Sequence, residues 1–278
     1  MSLFNAARMI AFHASIFHFL SLAGPALAQG GVPDEDVIGF IEKFDDKDWR
    51  DKWYISNFDR NDGFATSWRR RLAVVHWPAA PEIGDGFARL SLESAPEGQV
   101  TPYLGAELQR QGPFGYGRYE VYMKPGRGDG LVSAFFVYTG PAFDKPHDEI
   151  DFEFLGRDTT KVWLNIFTNG DNLPGRWLDL GFDAANAPHL YRFDWRADSV
   201  TWYVDGQEIL TVTSEEHPIP QTPGKVFLHI WAGTDKMVDW LKAPAADLAA
   251  QADYYCASYR PFGAEGENCA DYIGENDG

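Results

Sequence analysis

The strongest constraint on the fold is a succession of short apolar runs, each closed by a turn signal and often alternating at period two. Tyr119-Glu120-Val121-Tyr122-Met123-Lys124 alternates and stops at Pro125-Gly126. Residues 149–154 alternate strictly, and residues 161–168 stop at Asn169-Gly170. Residues 190–196 and 200–204 are joined by a polar link, and Asp205-Gly206 makes the next turn. Residues 131–138 and 226–231 are nearly all apolar, as in strands covered on both faces. Such patterns place successive side chains on opposite sides of a strand. Helical periodicity is scarce, and only 236–242 and 245–252 are predicted as one or two helical turns each. Together these runs predict an all-β chain, an antiparallel β-sandwich or barrel, with one domain over residues 40–262.

Net charge is −17, and the only basic run is Arg69-Arg70-Arg71, read as a solvated strand edge. A nucleic-acid partner needs a basic footprint, so that class is excluded. Aromatic residues make up 15% of the chain, with ten Trp. They serve either a β-rich core or a cleft that stacks on sugar rings. Arg8 precedes an apolar stretch over 9–23 interrupted by His13 and His18, followed by Pro25 and the small-residue site Ala26-Leu27-Ala28. Residues 1–28 therefore read as a signal peptide and the mature chain as secreted, extracellular or periplasmic. The stretch is too short and uneven for a membrane anchor, and no later segment is predicted to span a bilayer. Residues 29–39 are a polar lead-in. In an exported chain Cys256 and Cys269 suggest one disulfide, worth roughly 3 kcal/mol for a loop of that size; two free thiols are the alternative. Residues 263–278 read as an acidic tail held by that bridge.

The chemistry concentrates in His147-Asp148-Glu149-Ile150-Asp151-Phe152-Glu153-Phe154. Alternation puts Glu149, Asp151 and Glu153 on one face and Ile150, Phe152 and Phe154 on the other. Three carboxylates in a row repel one another, and no flanking segment offers a matching row of Lys or Arg. A solvated outer face is the bland explanation; an uncompensated cost points to function. Paired carboxylates with split proton affinities suit glycoside hydrolysis. Residues i and i+4 lie about 13 Å apart along a strand at ~3.3 Å per residue, so backbone spacing does not choose between retention and inversion.

Glu149-Ile150-Asp151-Phe152-Glu153 resembles the active-site motif of glycoside hydrolase family 16, in the branch without an extra residue before the last Glu. That branch includes bacterial lichenases (endo-β-1,3-1,4-glucanases), exopolysaccharide glycanases and plant xyloglucan-modifying enzymes. The resemblance extends through Gly115-Tyr116-Gly117-Arg118-Tyr119-Glu120-Val121, Thr168-Asn169-Gly170, Trp202-Tyr203-Val204-Asp205-Gly206 and Asp239-Trp240-Leu241, covering about 40–240. It implies a jelly-roll sandwich with a concave cleft and a retaining mechanism. Glu149 is then the nucleophile, Glu153 the general acid/base and Asp151 the residue that tunes Glu149.

By the same resemblance Glu107, Phe136, Tyr138, Asn165, Trp231 and Trp240 line the sugar subsites, with core packing as the alternative for Phe136 and Trp231 and a surface carboxylate for Glu107. Several positions depart from the lichenase pattern. His229-Ile230-Trp231-Ala232 stands where lichenases carry Asn-x-Trp-Asn, Phe167 replaces a Tyr, Gln109 an Arg, and His147 a Trp. His147 then touches the leaving-group side or caps the strand. Lichenases hold a structural calcium partly through an Asp of the last strand, where this chain has Tyr255, so calcium stays open and the chemistry requires no cofactor. Asp59-Arg60-Asn61-Asp62-Gly63 resembles a calcium loop only faintly and reads better as an Asx turn. The expectation is a secreted, monomeric, endo-acting β-glucanase cutting β-1,4 bonds of mixed-linkage glucan. A glycanase trimming an exopolysaccharide such as succinoglycan, a transglycosylase and a non-catalytic carbohydrate-binding protein are the alternatives.

Overall fold

A computed structural model describes residues 39–45, 47–60, 65–76 and 86–274. The signal peptide, nearly all of the lead-in and Asn61-Asp62-Gly63 of the candidate calcium loop lie outside the described residues. The strands are β1 (Phe40–Glu42), β2 (Trp53–Ile55), β3 (Thr66–Trp68), β4 (Ala73–His76), β5 (Phe87–Ser94), β6 (Tyr103–Phe114), β7 (Gly117–Lys124), β8 (Leu131–Thr139), β9 (Asp148–Leu155), β10 (Lys161–Thr168), β11 (Asp171–Asn172), β12 (Arg176–Asp179), β13 (His189–Trp195), β14 (Ser199–Val204), β15 (Gln207–Thr213), β16 (Gly224–Ala232) and β17 (Ala249–Arg260).

One antiparallel layer runs β2, β6, β16, β8, β9, β10, with β11 and β12 both on β10. The other runs β4, β5, β17, β7, β13, β14, β15, with β1 also on β17. Strand β6 belongs to both layers, pairing with β5 at its start and with β16 and β2 further along. The expected sandwich is the observed one, and the apolar halves of the alternating strands meet between the layers. Phe135, Ile150, Phe152, Phe154, Leu164 and Leu228 from the first layer join Tyr191, Phe193, Trp195 and Trp202 from the second in one core. Asn169-Gly170 and Asp205-Gly206 both have positive φ at each residue, as tight hairpins demand, which is why these pairs stand at those turns.

Two expectations need correction. Residues 245–252 contain no helical turn; Ala249–Arg260 is a central strand between β5 and β7. Its alanines favour helix in isolation, but two neighbouring strands and a buried Ala252, Tyr254, Cys256 and Ala257 outweigh that preference. The segment after 262 is not a loose tail up to residue 274. Cys269–Gly274 is a short helix whose Cys269 and Tyr272 pack with Leu190 and Cys256. The bridge Cys256–Cys269 is formed. The expected helical turns near 236–242 are present, as the 3-10 turn Asp235–Met237 followed by the helix Val238–Leu241.

Candidate active site

The register of the first layer turns the acidic alternation into rows across a concave face. Glu149 stands between Tyr138 of β8 and Phe167 of β10, Asp151 between Phe136 and Asn165, and Glu153 between Ala134 and Trp163. Beyond β8, Phe227 faces Phe136, and His229 faces Ala134 on one side and Glu107 on the other. Beyond β10, Trp177 faces Trp163. None of the six cross-strand neighbours of the three acids is Lys or Arg, so neighbouring strands leave the carboxylates uncompensated. The backbone beneath is fixed from the second layer. Trp202 Nε1 donates to the Asp151 carbonyl at 3.1 Å, and the Tyr254 hydroxyl reaches the carbonyls of Ala134 and His229 at 3.0 and 2.9 Å.

Electrostatics then separates the acids. Burial pushes Asp151 well above the usual carboxylate range, and the charges of Glu149 and Glu153 and a hydrogen bond with Glu149 push the same way. Glu153 keeps a partly exposed edge, yet desolvation, aided by the charge of Glu149, raises it to about 8. Burial also works against the charge of Glu107, but the facing His229 ring and hydrogen bonds from Ser56 and Gln109 prevail and lower it. Ser56 Oγ donates to Glu107 Oε1 at 2.6 Å and Gln109 Nε2 at 2.9 Å, while His229 Nδ1 lies 3.9 Å from Oε2. Asp148, next to the motif, serves structure instead: its oxygens accept the backbone N–H groups of Asn169, Gln221 and Thr222 at 2.8–2.9 Å.

The rows line a cleft of about 460 Å³. All eight residues assigned to substrate binding border it: Glu107, Phe136, Tyr138, Asn165, Phe167, His229, Trp231 and Trp240. Phe136 and Trp231 are 7% exposed, so they are cleft floor and packing at once. The sequence reading missed Trp68, Trp163 and Phe227, which also line the cleft. Trp163 and Phe227 were findable, since period two puts them on the same face as Asn165 and His229. Trp68 carried no such signal; it arrives on a short strand, and its ring stacks on His229 at 5.9 Å. His147, immediately before β9, places its Nε2 2.6 Å from Glu149 Oε2.

Tyr255, which stands where the resemblance places a calcium-ligating Asp, offers a phenol in place of a carboxylate. Tyr255 packs its ring against Phe87 and Tyr122, and the neighbouring buried carboxylate, Asp253, is held by Arg89 and Lys124. Among the described residues no group of three or more His, Cys, Asp or Glu is arranged to hold a metal.

Residues 74–254 match the model of glycosyl hydrolases family 16. The chain belongs to that family. A β-glucanase of Bacillus amyloliquefaciens is 55% identical over 128 residues, 46% of this chain and 52% of that protein. A β-glucanase of Acetivibrio thermocellus is 38% identical over 216 residues, 77% of this chain and 63% of its own length. The chain thus spans about half to two thirds of these curated relatives. Among solved structures, a β-1,3-1,4-glucanase (lichenase) derived from a mouse hindgut metagenome superimposes with a TM-score of 0.73 at 38% identity, covering 81% of this chain and all of that one. A laminarinase catalytic domain from Thermotoga maritima, at 20% identity, shares the fold. The matched span includes strand β9, whose Glu149, Asp151 and Glu153 line the cleft.

Proposed function

We propose that this family 16 chain is an endo-acting, retaining β-glucanase that hydrolyses β-1,4 bonds in mixed-linkage β-1,3-1,4-glucan. The carrying observation is the row of Glu149, Asp151 and Glu153 on an aromatic cleft, with no cation among its cross-strand neighbours and with Glu153 raised to about 8. A carboxyl protonated at neutral pH supplies a general acid. In the first step Glu153 gives its proton to the glycosidic oxygen while a Glu149 oxygen attacks the anomeric carbon, and the C–O bond to the leaving chain breaks. In the second, Glu153 takes a proton from water, the water oxygen attacks the same carbon, and the bond to Glu149 breaks. Asp151 orients Glu149 through their hydrogen bond. An open cleft lined by flat rings suits an internal stretch of an extended glucan. The relatives named β-glucanase and lichenase support the substrate class.

One observation favours a second reading, an exopolysaccharide glycanase. The strand carrying Trp231 offers an imidazole beside a buried carboxylate, His229 and Glu107, where the lichenase pattern has an amide. His229 Nδ1 lies 3.9 Å from Glu107 Oε2, and neither ring nitrogen makes a hydrogen bond within the described residues. Exported, monomeric action without a cofactor completes the proposal. The deciding experiment incubates the protein with lichenan, laminarin, xyloglucan and succinoglycan, sizes the products and follows anomeric configuration by NMR. Rapid shortening of lichenan with β-products supports the first reading, cleavage of succinoglycan alone supports the second, and inversion or inactivity on all four overturns both.

A further inference from the structure

Between the last turn of the preceding loop and the start of β9 sits a histidine that the double-displacement scheme does not use. We propose that His147 is a positioning residue that holds the Glu149 carboxylate by one oxygen and so leaves the other aimed at the sugar. The inference rests on the function proposed above and adds a residue to it.

The contact is short and the ring has little freedom. His147 Nε2 lies 2.6 Å from Glu149 Oε2. One face of the imidazole stacks on Phe167, centroids 4.5 Å apart at 14°, and Tyr138 meets it edge-on at 5.3 Å and 76°. Phe167 and Tyr138 are the two cross-strand neighbours of Glu149 itself, so the residues that flank the carboxylate also clamp the histidine. The backbone is anchored as well. The His147 carbonyl accepts the Gly170 N–H at 2.9 Å, and Asp148 ties the next residue to Asn169, Gln221 and Thr222. A ring held on both sides by aromatic side chains, on a backbone held by hydrogen bonds, is placed before any substrate arrives.

The carboxylate only accepts, so Nε2 donates. A donor on Oε2 restrains rotation about the last bond of the Glu149 side chain. Asp151 hydrogen-bonds to the same carboxylate from along the strand, and the two restraints together define its plane. Attack on an anomeric carbon needs one oxygen in line, and misplacement of a reacting group by about 1 Å can cost on the order of 100-fold in rate. The titratable and charged groups around this pair include Asp148, Glu149 and Asp151 on β9, Tyr138 on β8, Lys225, which faces Tyr138 from β16, and Arg60 and Glu107, whose charges reach Tyr138. Phe167 on β10 brings none.

The test uses His147→Phe, which keeps a ring on Phe167 and removes the donor, and His147→Gln, which restores an N–H near Nε2 without a titrating group. We expect His147→Phe to lower kcat roughly 10- to 100-fold with KM changed less than about twofold. His147→Gln should recover most of kcat, a rescue that a merely structural role would not produce. Wild-type kcat in His147→Phe, a loss confined to KM, or a His147→Gln variant with the kcat of the Phe variant each overturns the proposal. If His147→Phe does not fold, the kcat and KM of His147→Gln, against His147→Ala, decide. A wild-type protein inactive on every glucan removes the functional reading, whereas an active wild type with indifferent His147 variants removes only this inference.

Discussion

Both layers of the sandwich bury carboxylates, and Asp151 in one is surrounded quite differently from Asp194 and Asp253 in the other. Asp151 on the concave layer is 4% exposed, and Asp194 and Asp253 on the other layer are 5% and 2% exposed. Asp253 receives Arg89 through two bonds of 2.6 and 2.8 Å and has Lys124 at 3.5 Å. Asp194 sits between Arg118 at 3.1 Å and Arg192 at 3.3 Å. The cross-strand neighbours of Asp151 and Glu153 are two aromatic rings, an alanine and an amide. Burial is common to both layers, so burial does not make a site. At Asp151 and Glu153 no cation stands among the cross-strand neighbours, and desolvation raises their proton affinity.

The largest expected effect follows from breaking the concave side. Glu149→Ala should reduce hydrolysis by more than about 10⁴-fold, close to the limit of detection, with the melting temperature held or raised because a like charge leaves the row. Retained activity would show that the row is a cost without a use. Next comes a matched pair. Asp151→Asn is nearly isosteric with the protonated acid, so folding stability should be unchanged within about 1 kcal/mol while kcat drops about 10- to 100-fold. Arg89→Ala should do the reverse: it leaves Asp253 buried beside Lys124 alone and costs about 2–3 kcal/mol, the low end for a broken buried pair because Arg89 is partly exposed. Denaturant melts and lichenan kinetics on both variants check this. Equal effects on stability would erase the distinction between the layers.

A pH series sharpens the same contrast. With Glu153 raised to about 8, kcat/KM should fall as pH rises through that value, since the first step needs its proton. Stability carries the same sign. An ordinary glutamate titrates near 4.3, so between about 4.3 and about 8 the folded chain keeps a proton that the unfolded chain has lost. Folding is therefore weaker at the alkaline end of that window and stronger at the acid end. Melts of wild type and Glu153→Gln across this range should show the slope in the first and its loss in the second. The lowered Glu107 contributes oppositely, adding stability that disappears as pH drops below its folded value.

Strand positions and the shared face of the three acids were legible because period two is a local property of the chain. So were the hairpins at Asn169-Gly170 and Asp205-Gly206, which need residues tolerant of positive φ. The strand Ala249–Arg260 was not legible at its start, where alanines carry no alternation and only the neighbours β5 and β7 decide. The burial of Asp253 leaves no local trace for a similar reason, since its partner Arg89 is 164 residues away in sequence. His147 adjoined the motif in plain view, but its direction depends on Phe167 and Tyr138, which reach it through register and not through sequence spacing.

The smallest predicted effect concerns why no cation is needed beside Glu153. Trp163 is its β10 neighbour, lies edge-on to Trp177 at 5.3 Å, and occupies space that a side chain at residue 175 would take, its ring atoms lying 2.2 Å from where a Cβ on Gly175 would be. Under the proposed function the ring gives a sugar a flat face to stack on, and it adds an apolar wall beside the acid. Trp163→Ala should raise KM about 3- to 10-fold through lost stacking, with kcat little changed at neutral pH. It should also move the alkaline limb below about 8, because water then reaches Glu153 and the desolvation that raised it is relieved. Trp163→Phe should restore the limb more fully than KM. If the KM change occurs and the limb stays in place, the charge of Glu149 and not the apolar wall sets the proton affinity of Glu153, and the contrast between the two layers reduces to their charges alone.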